Sequence, residues 1–357
     1  MMSCKLRVSA LFLSASVALL GAGCANGASD ASGAYGSGAN GNGSASTSGA
    51  VILAKVGNLE KTTLNVAVLA NIDSAGFFVA LHEGLFAREG LRINYSPAFS
   101  DAIVGAQAKG QYDITGMNYV SYIQAQFSHR ADLRIVAEGS LLEPGDQVIM
   151  TMPRSRIRSL RDLRGRLLGV NTTPNIGFLL VASMLAQDGI RMKTTAGYAA
   201  DSVMLPPDPN FPFPASQPLM SGQVAAAIMS EPFATQLAEQ NGAGIIADTD
   251  SGATSQFPIL GYAVTKAWAR VNPNTLKAFT IALEAGQEIA DTNRAAVEAA
   301  FVSLRPGAGH VDQRTAALMA LSNYPLGVDR ARLQRVADVM VEFGLLRQHF
   351  SIGQLLN

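Results

Sequence analysis

Four short stretches place polar side chains where an apolar strand gives way to a helix. NIDSAGFF carries Asp73, Ser74 and Phe77, and GMNYVSY carries Asn118 and Tyr119. NTTPNIG carries Thr172, Thr173 and Asn175, and SEPF carries Ser230, Glu231 and Pro232. The first N–H groups of a helix lack intrahelical partners and bear partial positive charge. Beside hydroxyls, amides and carboxylates they can grip a small polar molecule. The same residue types also cap helices, at about 1 kcal/mol each, and proline suits a first turn. One such turn alone reads as a plain cap. Four in corresponding positions of one chain point to a cleft, because open α/β sheets bind ligands beyond the carboxyl ends of their strands.

The elements needed to position these turns can be read along the chain. LNVAVLA (Leu64–Ala70), LRINYSP, YDITGM and LRIVAEG are β-rich and alternate with helical segments Ala75–Glu89, Asp101–Lys109 and Tyr119–Phe127. The pattern restarts with a short helix in Ile157–Gly165, where Ser159 and Asp162 have capping-box spacing. Strand RLLGV, helix Gly177–Asp188 and strands VAAAIMS and GAGIIAD follow. The many prolines of Pro206–Pro218 make that stretch a loop. Asn274–Thr292, Arg294–Leu304, Gln313–Leu321 and Asp329–Phe343 then show helical periodicity. The expectation is an α/β fold of two lobes, each a mostly parallel sheet flanked by helices, with a helical C-terminal tail.

Composition narrows the chemistry. With 27 basic and 27 acidic residues in 357, the formal net charge is zero and no basic face for nucleic acid stands out. His82, His129, His310 and His349 have no metal-ligand spacing. Neither HExxH, CxxC, a phosphate-loop motif nor GxSxG occurs. GSGANG (Gly36–Gly41) matches GxGxxG formally, but no strand precedes it and no helix follows. The reading is a non-enzyme without cofactor or metal.

Lys5 and Arg7 precede an apolar run, Val8–Leu20, which ends in LLGAGC. The run is short for a membrane span. Basic region, apolar region and small-residue cleavage site together read as a secretory signal over residues 1–23. Cys24 directly after it resembles the lipidated cysteine of a bacterial lipobox, although Gly21 stands where Leu is usual. Residues 24–61 follow as a tether, since Ala25–Ala50 is built almost wholly from Gly, Ala, Ser, Asn and Thr. The expected location is the outer face of the cell membrane, held by a lipid anchor.

Five stretches carry a family resemblance: ALHEGLFAREGLRI (Ala80–Ile93), QAKGQYDITG (Gln107–Gly116), IRSLRDLRGRLLGV (Ile157–Val170), LMSGQVAAAIMSEPF (Leu219–Phe233) and ADVMVEFGLL (Ala337–Leu346). The chain resembles solute-binding proteins of ABC importers with the type II periplasmic-binding fold, in the nitrate/sulfonate/taurine and thiamine-precursor (NMT1/THI5-like) group. The resemblance implies a monomeric two-lobed clamp that closes on a small solute and docks on a permease driven by an ATPase. It implies crossings near Gln147–Pro153 and Phe257–Lys266, hence one lobe from residues 62–152 completed by 257–357, and a second from 153–256. It places the ligand at the turns named above: Asp73, Ser74, Phe77, Asn118, Tyr119, Thr172, Thr173, Asn175 and Glu231.

Two solute classes stay open. One is a nitrate-, sulfonate- or taurine-like molecule; the other is an aminopyrimidine or similar heterocycle, stacked on Tyr119 or Phe77, with an acid receiving its N–H groups. Phe211 or Phe213, if they reach the cleft, favour a ring. A pyrimidine-forming enzyme on the same fold would carry a cysteine-rich stretch that this chain lacks, and a ligand sensor would use the same binding chemistry.

Overall fold

A computed structural model describes residues 56–99, 101–170, 175–193, 202–206 and 214–357, all within one compact unit, Val51–Asn357. The expected lipidation site Cys24, Thr172, Thr173, Phe211 and Phe213 lie outside the described residues.

The strands in chain order are β1 (Thr63–Leu69), β2 (Arg92–Ala98), β3 (Ile114–Asn118), β4 (Leu133–Leu141), β5 (Gln147–Thr151), β6 (Leu168–Gly169), β7 (Arg191–Lys193), β8 (Ser202–Met204), β9 (Ala226–Ser230), β10 (Gly244–Asp248) and β11 (Pro258–Thr265). The helices begin with α1 (Ala75–His82), α2 (Leu85–Arg88), α3 (Ala102–Ala108), α4 (Tyr119–Phe127), α5 (Ile176–Gln187), α6 (Ser216–Met220) and α7 (Phe233–Asn241). The C-terminal region adds α8 (Lys266–Val271), α9 (Pro273–Thr292), α10 (Arg294–Ser303), α11 (Gln313–Leu318), α12 (Arg330–Glu342) and α13 (Gly353–Leu356). The single helix expected over Ala75–Glu89 is broken at Gly84, whose φ of 68° suits glycine.

Two main sheets result, ordered β2-β1-β3-β11-β4 and β10-β5-β9-β6, with a β7–β8 pair linked to the second by a Leu167–Met204 bridge. β1 is buried from Val66 to Leu69 because helices cover both faces of its sheet, which explains its nearly continuous apolar run. Each sheet is mostly parallel, as expected, with one reversed strand, β11 in the first and β5 in the second. β1 runs parallel to β2 and β3, but β11 is antiparallel to β3 and β4, and β5 is antiparallel to β9 and β10. The reversal belongs to β5 and β11, the strands that follow each passage of the chain from one sheet to the other.

Those passages lie earlier than the resemblance implied. Gln147–Thr151 already pairs inside the second sheet, so the chain crosses over Leu142–Asp146 and returns over Thr249–Phe257. A buried run such as QVIMT reads the same as a connection or as a central strand; only its pairing decides. The two connections touch, with Leu142 N–H donating to the Phe257 carbonyl at 2.8 Å. The tether also ends earlier than residue 61. Lys61 Nζ pairs with Asp113 at 2.7 Å, and the Glu60 carboxylate accepts from the N–H groups of Asn274 and Thr275 at the start of α9.

The tail helices pack mainly on the first sheet. α9 crosses α1 so closely that a Cβ on Gly286 would strike the Gly76 carbonyl and the Ala80 side chain. α11 reaches further and joins α7 through an Arg314–Glu239 ion pair. Apolar residues of α6, α7, β5 and β9 form a separate small core on one face of the second sheet, including Leu219, Leu237, Val148 and Met229.

Candidate binding cleft

The ends of β1, β2 and β3 in the first sheet face the end of β9 and the start of α5 in the second. Asn71 and Asp73 follow β1, Phe99 and Asp101 follow β2, and Met117 and Asn118 close β3. Opposite them lie Ser230, Ile228, Ile176 and Gly177, with Gln147 and Ile259 between. Together they line a cavity of about 30 Å³, room for roughly two water molecules. A solute of any size therefore needs the two sides to part. At one corner they are joined by backbone: Ile72 N–H donates to the Glu231 carbonyl, and Glu231 N–H to that of Asp146, both at 2.9 Å.

Each turn folds for a local reason. Asn118 is extended, and its amide oxygen accepts from Ser121 N–H at 3.0 Å, capping α4, while its Nδ2 donates to Asp101 at 3.2 Å. Asn175 caps α5 by accepting from Phe178 N–H at 3.2 Å, and its buried Nδ2 has no partner among the described residues. After β1, Asn71 opens a 3₁₀ turn, Ile72–Ser74, that swings Asp73 inward.

Asp73 is buried among donors: Ser140 Oγ to Oδ1 at 2.9 Å, Asn71 Nδ2 to Oδ2 at 2.6 Å and, more weakly, Gln147 Nε2 at 3.5 Å. Burial outweighs those bonds and lifts its carboxyl from the ordinary 3.8 to about 6. Behind it Asp146, also buried, accepts from Ser322 Oγ at 2.7 Å and leaves Oδ1 without a partner. Burial first, then repulsion from Asp73, raises Asp146 well above the usual carboxylate range. Among the described lining residues, the cavity holds the acids Asp73 and Asp101 and no Lys or Arg.

The structure brings together only part of the set that the sequence pointed to. Asp73 and Asn118 line the cavity, and Asn175 sits just before two lining residues. Ser74 is buried beside the cavity but does not line it. Phe77 and Tyr119 are corrections. The Phe77 ring lies in the first core, 5.4 Å from Phe86 and 5.8 Å from Tyr95. Tyr119 is fully buried against Gly261, where an added Cβ would come within 2.6 Å of its hydroxyl. Both occupy the first turn of a helix that turns its apolar face to the sheet, and neither lines the cavity. Glu231 is spent on its own helix, accepting from Thr235 N–H and Oγ1 at 3.1 and 2.8 Å and from Ala320 N–H at 3.4 Å.

Asn71, Phe99, Asp101 and Gln147 were not foreseen as lining residues. Asn71 stood in the right stretch, but nothing in NIDS says which side chains a 3₁₀ turn sends inward. Gln147 was hidden by its reading as part of a connection.

The comparisons agree with this geometry. The family model described as NMT1/THI5 like matches residues 71–294. A Haemophilus influenzae protein named for thiamine biosynthesis is 24% identical over 303 residues, covering 83% of this chain and 91% of its own. The alkanesulfonate-binding protein SsuA of Xanthomonas axonopodis pv. citri, solved with MOPS bound, superposes with a TM-score of 0.66 at 17% identity, over 84% of this chain and 99% of its own. The periplasmic nitrate-binding protein NrtA of Synechocystis gives 0.65 at 14% identity, over 81% and 83%. At such identities the structural likeness shows the fold.

Proposed function

Because the chain belongs to the NMT1/THI5-like family, we propose that it is an extracytoplasmic solute-binding protein of an ABC importer. It closes two lobes on a small polar solute and hands it to a membrane permease driven by an ATPase. It acts as a monomer and catalyses nothing itself. Residues 60–146 with 257–357 form one lobe and 147–256 the other, and Cys24 carries the lipid that anchors the tether.

The solute carries N–H donors: an aminopyrimidine or similar amino-heterocycle, or a zwitterion such as taurine. One observation carries this choice. The described cavity wall presents Asp73 and Asp101 and no cationic side chain. A bare anion such as nitrate meets repulsion there, whereas an amine or amidine edge meets acceptors. The relative named for thiamine biosynthesis supports the heterocycle. With Phe77 and Tyr119 in the core, the recognition is by hydrogen bonds rather than by stacking on those rings.

Thermal unfolding of residues 25–357 against nitrate, ethanesulfonate, taurine and aminopyrimidines tests the reading. At about a hundred times its dissociation constant a ligand adds roughly 2.7 kcal/mol, a rise of several degrees. The amino compounds are expected to raise the midpoint and nitrate to leave it unchanged; a shift with nitrate alone would overturn the choice of solute. Cys24→Ala is expected to move the protein from the membrane fraction to the soluble one.

A further inference from the structure

Two buried polar atoms in the cavity wall lack partners among the described residues: the amide oxygen of Asn71 and the hydroxyl of Ser230. Both residues are more than nine-tenths buried, at 4% and 5% exposure. They stand on opposite sides, one beyond β1 of the first sheet and the other at the end of β9 in the second. Buried polar groups in native proteins are almost always paired, so two orphans facing one cavity mark where water, or a bound molecule that displaces it, supplies the missing bonds.

The Asn71 amide has a fixed sense. Its Nδ2 donates to Asp73 Oδ2 at 2.6 Å, and rotating the amide would press its oxygen against that carboxylate. Oδ1 is therefore held toward the cavity as an acceptor and nothing else. It can be satisfied only by an N–H or O–H donor, from water in the free cavity or from a solute that displaces it. Ser230 carries a hydroxyl, which both donates and accepts, and so completes whatever polar group lies at the other end. The next residues along that side, Ile176 and Gly177, open α5, whose cap Asn175 has its own unpaired Nδ2.

We propose that Asn71 and Ser230 are the specificity pair of this cleft: Asn71 Oδ1 takes an N–H of a primary amine or amino-heterocycle, and Ser230 Oγ binds the polar group at the molecule's far end. The inference rests on the solute-binding reading and deepens it. It makes the amine itself the feature selected, so that removing it from an otherwise identical molecule leaves a buried acceptor unpaired and is rejected strongly.

Calorimetric titration with two matched pairs tests this: taurine against ethanesulfonate, and 4-aminopyrimidine against pyrimidine. The wild-type chain is expected to bind at least one amino member about tenfold or more tighter than its partner. In Asn71→Leu the two members of that pair become equal within about twofold. Since that substitution also removes a donor from Asp73, Ser230→Ala serves as a second variant that leaves the Asp73 hydrogen bonds intact. It is expected to weaken the amino member severalfold without changing the unfolding midpoint of the free protein. Equal wild-type affinity for both members of each pair overturns the specificity role and leaves solute binding standing. A preference that survives Asn71→Leu removes Asn71 from the role, and unchanged affinity in Ser230→Ala removes Ser230. No binding of any of the four overturns the choice of solute class and the specificity pair with it.

Discussion

At the scale of single residues, Asp73 sets the pH behaviour. Its folded carboxyl titrates near 6 rather than at the ordinary 3.8, so between those values the folded chain holds a proton that the unfolded chain has lost. The resulting stabilisation is fully present below about pH 4 and is lost as pH rises through about 6, amounting to about 3 kcal/mol at most. Asp73→Asn is expected to reduce that slope, read as a flatter dependence of the unfolding midpoint between pH 4 and 7, while Asp146, raised first by its own burial, keeps part of it. Proton and amine also compete for the same carboxylate, so affinity for a cationic solute is expected to fall as pH drops below about 6, by up to tenfold per unit. Glu231 behaves otherwise. Three donors already occupy its oxygens, so Glu231→Gln is expected to leave solute affinity within about twofold while loosening the start of α7 by about 1 kcal/mol. A large loss of affinity in a titration of that variant would return Glu231 to the site.

At the scale of elements, the close crossing of α1 and α9 makes Gly286 a sharp probe. Gly286→Ala forces a methyl against the Gly76 carbonyl and is expected to cost about 2–3 kcal/mol in urea denaturation, with affinity in the refolded protein unchanged. The elements were largely legible in the sequence. α4, α9 and α10 begin within a residue of where periodicity and caps put them, and the β-rich LNVAVLA supplies β1. The exceptions have physical causes. Gly84 takes a left-handed turn that periodicity cannot register. QVIMT is a central strand whose apolar run says nothing about its partners. In the cleft, described residues of the named turns line or adjoin one cavity, but residue type did not say which side chains face inward. Phe77 and Tyr119 stand in the first turns of α1 and α4, next to the rim, but their rings are packed in the core, whereas Asn71 and Ser230 line the cavity. That distinction depends on backbone direction, which residue type alone does not carry.

At the scale of the whole molecule, the C-terminal segment after α11 ties both sides of the cleft together. Ala320 N–H reaches Glu231, Ser322 Oγ reaches Asp146, and Tyr324 Oη donates to the Ile72 carbonyl at 3.1 Å. If the lobes part to admit solute, these bonds and the exposed Arg314–Glu239 pair rearrange with them. X-ray scattering is expected to show a smaller radius of gyration in saturating ligand than without it, and an unchanged radius would exclude the clamp. The paired connections have a further consequence. Because Leu142 and Phe257 are hydrogen-bonded to each other, the two passages between the sheets must bend in concert and resist independent twisting. If the two sheets move as lobes, that coupling favours one angle of swing over independent twisting. Holding them shut forfeits the entropy of a single swing rather than of a free tumble, so a solute with only a few hydrogen bonds to give can suffice to keep the cleft closed.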